Sequence, residues 1–118
     1  MAVVMSEQWY QRGDASAAEL QDVVDGILGQ LEEPDSDVAH AARAAGLEPA
    51  ELSGASAEIR EGAQGAEPIL TTIVVGITVA AGSKIAETLW TEVIWPRLRR
   101  RLGAKAIGER TAAPGDGR

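Results

Sequence analysis

The sequence predicts a mainly α-helical chain, an acidic helical head followed by a long apolar C-terminal helix, and three observations carry that prediction. Apolar residues recur at helical spacing in the first half. Charge is unevenly spread, with fourteen Asp and Glu against three Arg from Met1 to Glu67, and eight Lys and Arg against four acids from Pro68 onward. An uncharged stretch from Pro68 to Ser83 then leads into a Trp- and Arg-rich end. A chain of 118 residues has room for one domain, which buries only a modest share of its unfolded surface and leaves little space for a deep enzyme cleft. Phe is absent and the large rings are Trp9, Tyr10, Trp90 and Trp95, so a core has to come from Ala, Val, Ile and Leu.

Residues 1–15 carry little pattern and are expected to be weakly ordered, with "AVVM" either a short strand or a loose start. "MAVVMSEQWYQRGD" has no basic n-region and Glu7 interrupts its short apolar run, so it does not read as a secretory signal. The acidic helical head is placed at 16–54. Ser16 and Glu19 have the spacing of a capping box, in which each side chain accepts the other's backbone N–H. Leu20, Val23, Val24, Ile27, Leu28 and Leu31 then follow along one helical face, up to about Glu33 before Pro34. Gly26 and Gly29 weaken this helix by about 1 kcal/mol each relative to Ala, so it needs a surface to pack on.

"DSDVAHAARAAG" predicts a second helix capped by Asp35 or Ser36 and closed by Gly46, and "LEPAELSG" adds a turn from Pro49. Together they have a helix-turn-helix outline, which makes a DNA-binding regulator a third reading of function. The second helix, however, presents Glu48, Glu51 and Ser53 where a DNA reader needs donors, and the acidic head repels phosphate. Nucleic acid is therefore argued against as a partner. Residues 55–67 read as a Gly-rich connector in which "SAEIRE" has the character of a short strand; 68–103 form the apolar segment with its Trp/Arg-rich end, and 104–118 a disordered tail.

The segment 68–103 has two readings. As a membrane helix, it uses Thr72, Gly76 and Ala80 as a ridge of small residues for helix packing, Trp90 and Trp95 as interface anchors, and Arg97, Arg99, Arg100 and Arg101 as contacts to anionic lipid or a partner. The uncharged run falls short of the roughly 17–25 residues of a spanning helix and has to borrow turns that carry Lys84, Glu87 and Glu92. A cytoplasmic head and a cytoplasmic arginine cluster also cannot flank one span. The preferred form is thus a helix lying on the cytoplasmic face of the inner membrane. As the alternative, a small cytoplasmic α+β domain has 69–79 as a buried strand and 83–102 as a helix, which leaves the charges in water but a very apolar strand short of neighbours.

Without Cys there is no disulfide and no thiolate ligand or nucleophile. His40, the only histidine, sits on an Ala-rich helix and reads as a bystander. Glu32, Glu33, Asp35 and Asp37 lack the spacing of a calcium loop, and no phosphate-loop motif is present. Ser83 beside Lys84 reads as a helix cap. No catalytic residue, cofactor, metal or small-molecule substrate is expected. The predicted function is a non-catalytic, membrane-associated interaction or adaptor protein, homo-oligomeric and partnered by lipid or protein; the alternative is a soluble adaptor.

The stretch "EPILTTIVVGITV", followed by "LWTEVIWPRLRRRLGAKAIG", resembles the effector-associated constant components of bacterial conflict systems. It shares a glycine-containing connector, a Thr/Val/Gly-rich apolar stretch and a Trp-bearing helix ending in arginines. The resemblance spans about a third of the chain and implies a non-catalytic companion of a separately encoded effector, with an α+β fold. It assigns no functional residue.

Overall fold

The computed structural model describes residues 4–52, 54–64, 67–80 and 82–111. Strand β1 (Val4–Arg12) is followed by helices α1 (Ala17–Leu31), α2 (Asp37–Ala44) and α3 (Pro49–Leu52), then by strands β2 (Ser56–Gln64) and β3 (Glu67–Val79). A continuous helical stretch comes next: α4 (Ser83–Thr88), a π-helical segment (Leu89–Ile94) and α5 (Trp95–Leu102). Strand β4 (Ile107–Thr111) ends it. The strands form one antiparallel sheet in the order β2-β3-β1-β4, so the fold is α+β.

This corrects the mainly α prediction and the long apolar C-terminal helix at its centre. Ile, Val and Thr dominate "ILTTIVVGITV"; their branched Cβ atoms lose rotamer freedom in a helix and fit a pleated surface. The neighbours that β3 seemed to lack come from two segments with weak signals. Residues expected to be weakly ordered supply β1, paired along Val4–Gln11, and the connector supplies β2. Residues placed in the disordered tail supply β4. Among the described residues no helix is long and apolar enough to cross a membrane, which removes the transmembrane helix. The helical stretch 83–102 buries Ala86, Leu89, Trp90, Val93, Ile94 and Leu98 and leaves Lys84, Glu87 and Glu92 exposed, so no charge has to be desolvated.

The core lies between one face of the sheet and the helices. Ile73, Val75, Ile77 and Val79 of β3 meet Leu20, Val24 and Ile27 of α1 and the apolar side of 83–102. The capping box of α1 is formed: Glu19 N–H donates to Ser16 Oγ and Ser16 N–H to Glu19 Oε1, both at 3.1 Å. Ser36 caps α2 by accepting from the Ala39 N–H at 3.1 Å, and Gly46 takes the positive φ of 84° that ends it. On the other face of the sheet Arg60 of β2 donates to Glu7 of β1 at 2.9 Å. Glu7 lies opposite Gly76 of β3 and Arg60 opposite Val74, so the pair crosses the middle strand beside a position with no side chain.

The two sheet edges are finished differently. On β2 the Gln21 carboxamide of α1 donates to the Ala57 carbonyl at 2.9 Å and accepts from the Ile59 N–H at 2.7 Å. Its amide thus takes the place of a further strand at Ala57 and Ile59 and blunts that end of the edge, a defence against edge-to-edge pairing. Among the described residues β4 pairs with β1 alone.

Candidate functional site

Trp90 and Trp95 are five residues apart, which on an α-helix would point them about 140° apart. Here the Trp95 N–H donates to the Trp90 carbonyl, the i→i−5 bond of a π-helix, and both rings come to one side. Pro96 supplies the local cause. It has no N–H to continue an α-helix, its ring would strike the carbonyl four residues back, and the wider turn ahead of it gives it room.

The two indoles meet Tyr10 of β1. Tyr10 stacks on Trp95 with centroids 5.0 Å apart and planes 19° apart, and Trp90 stands tilted against both, 6.0 Å from Tyr10 and 5.7 Å from Trp95. A buried hydrogen-bond chain holds the group: Trp90 Nε1–H donates to Tyr10 Oη at 2.7 Å, and Tyr10 Oη–H donates to Gln8 Oε1 at 2.8 Å. Among the described residues no buried side-chain nitrogen or oxygen lacks a partner. Burial pushes the Tyr10 pKa above its ordinary value of 10.0, against the opposing hydrogen bond from Trp90 and the charge of Arg110.

Beside this cluster runs a cleft of about 240 Å³, lined by Gln8, Tyr10, Trp90, Thr91 and Trp95 on one side and by Gly108, Glu109 and Arg110 of β4 on the other. The cleft is apolar at its base and charged at its rim. Its one hydroxyl on an aromatic ring is neutral, engaged both as donor and as acceptor, and shifted away from use as a base. The arrangement suits an inserted apolar side chain better than proton transfer.

The structure disperses the residues singled out in the sequence. Thr72 and Gly76 lie on β3 and Ala80 just beyond it, on a strand and not on a packing helix. Trp90 is buried, with 1 % of its surface exposed, and Trp95 is half-buried; both belong to the aromatic cluster. Arg97 donates to the carbonyls of Val93 and Asp37, and Arg99 lies 5.5 Å over the Trp95 ring. Arg100 and Arg101 line a groove with Ile27, Gln30 and Asp37.

His40 is exposed, its Nδ1 3.0 Å from the Arg43 guanidinium. Helix α3 is a single turn in which Glu51 accepts the Glu48 N–H at 3.0 Å. Among the described residues no group of three or more His, Asp or Glu is placed to hold a metal ion.

Gln8, Tyr10, Glu109 and Arg110 were not singled out. The alternation in "SEQWYQR" was their available signal, since Gln8 and Tyr10 fall on one face of a strand and Glu7, Trp9 and Gln11 on the other. Comparison with family models, with curated proteins and with solved structures finds no match to this chain.

Proposed function

We propose that this chain is a non-catalytic interaction module that engages a separate polypeptide through the aromatic cleft, as the accessory companion of an effector protein. The observation that carries the reading is the Tyr10–Trp90–Trp95 cluster, which fixes an apolar cleft at the surface beside charged β4 residues, with its phenol engaged both as donor and as acceptor. Aromatic anchors held in place before binding are the usual core of a protein interface, because little side-chain freedom is lost on association.

The α+β fold agrees with what the resemblance of residues 67–108 implies, and supports the companion role. In this reading the chain works in the cytoplasm beside its effector. The DNA-binding alternative has less to rest on, since α3 offers a groove one helical turn, which carries the Glu51 carboxylate and no basic side chain.

The test is sedimentation velocity of the full chain, alone and co-expressed with the products of the reading frames that flank its gene. Thr91→Arg, at an exposed position on the cleft wall, fills the cleft without touching the core. A heavier species in the wild type that Thr91→Arg disperses is the expected result. A chain that sediments as a monomer in every mixture would overturn the reading.

A further inference from the structure

Resting on that reading, we infer that the outer edge of β4 receives an extended, acidic segment of another polypeptide as a fifth strand, with one apolar side chain of that segment seated in the aromatic cleft. The two edges of the sheet differ in a way that points to β4. On edge strand β2 the outward groups of Ala57 and Ile59 are already bonded to Gln21, whereas β4 pairs only with β1 among the described residues. An unpaired edge is a template for an added strand, in which backbone bonds supply affinity and a neighbouring pocket supplies choice of side chain. The cleft lies where that pocket is needed, since Gly108, Glu109 and Arg110 of β4 form one of its walls.

Charge selects the partner. Arg110 lines the cleft and Arg99 lies over the Trp95 ring beside it, and neither is in a salt bridge among the described residues, whereas Arg97, Arg100 and Arg101 line the separate groove with Asp37. Glu109 is the one acidic residue on β4. A segment carrying Asp or Glu complements this surface, steering encounter and fixing register.

A second copy of β4 fits the edge poorly. Side chains directly opposite in an antiparallel pair point to the same face, so a twofold pairing of one strand with itself is centred on a residue. Centring on Glu109 sets two carboxylates face to face, and centring on Arg110 sets two guanidinium groups so. Both oppositions are destabilising. Centring on Gly108 shortens the ladder and leaves its middle without a side-chain pair.

A display library of random linear decapeptides, selected on the immobilised full chain at low ionic strength, tests this. Enrichment of Asp- and Glu-rich sequences with one large apolar residue is expected. A synthetic peptide of the enriched type should slow amide exchange along β4, and Arg110→Glu should weaken it about tenfold with an unchanged circular dichroism spectrum. Enrichment of neutral or basic sequences, protection away from β4, self-pairing of β4, or no enrichment would each overturn the inference. An association that survives Arg110→Glu while β4 amides exchange freely would sink this inference and leave the interaction reading standing. A chain that associates with nothing removes both.

Discussion

Replacing Tyr10 by Phe removes a single oxygen and breaks both links of the chain that joins β1 to the π-helical segment. The ring remains, so the stacking on Trp95 is kept and the loss is confined to hydrogen bonding. Trp90 Nε1–H at 2.7 Å and Gln8 Oε1 at 2.8 Å are both left without their partner. Their residues are only 1 % and 4 % exposed, so water does not easily replace the hydroxyl. An orphaned buried donor or acceptor costs about 1–3 kcal/mol, and two of them put the expected loss at about 3 kcal/mol. Against a total stability of about 5–15 kcal/mol for a domain, that is a large share.

The assay is urea denaturation followed by tryptophan fluorescence, with linear extrapolation to water. Gln8→Leu added to Tyr10→Phe should recover about 1 kcal/mol, because it removes one of the two orphans. A loss below about 0.5 kcal/mol for Tyr10→Phe, or a double variant no more stable than the single, would refute the reasoning.

The same hydroxyl predicts an alkaline limit. With a folded pKa raised by burial above the ordinary 10.0, the native state keeps a proton that the unfolded chain releases, so stability falls as pH rises past about 10 toward the folded value. The Tyr10→Phe variant should lack that slope in denaturation curves across this range. Gln21→Ala should destabilise by about 2 kcal/mol through its two bonds to β2 and speed amide exchange at Ile59; Gln21→Glu keeps the acceptor for Ile59 but turns a carboxylate on the Ala57 carbonyl. Gly62→Ala places a methyl group against Thr72 Oγ1 and the Trp9 ring, where β2 and β3 shift register, and should lower the urea midpoint by the equivalent of about 2 kcal/mol. A neutral effect there would mean that the strand tip adjusts freely.

What could be read from the sequence was what is local. The capping box needs only Ser16 and Glu19 three residues apart, and the buried face of α1 repeats within a turn or two, so both were legible. The thirteen residues of β3 were not, because an unbroken apolar run satisfies lipid and a doubly covered strand equally well. The difference lay in its partners, and these were a polar N-terminal stretch and a Gly-containing connector. The cleft was harder still. Tyr10 and Trp90 are 80 residues apart, and Trp95 reaches them only because of a widened turn. The role of Gln21 had no sequence signal, since a Gln on a helix says nothing of the strand 36 residues later that it completes.

The place of β1 inside the sheet also sets an order of events during synthesis. Strand β1 is held between β3, through residues 72–79, and β4, through residues 107–111, so it has no pairing partner until the chain has been made about sixty residues beyond it. Among the described residues the β2–β3 hairpin is the only sheet contact between consecutive strands. It offers the early structure, with one side of β3 waiting for β1 to arrive and β4 locking in last. Closing such long loops is slow, and the apolar β3 edge stays open meanwhile. A ribosome-stalled chain cut short before Ile107 should therefore hold its hairpin while β4 is still missing, and pulse-labelled amide exchange on stalled chains of increasing length would show β1 protected only after β3 has left the tunnel.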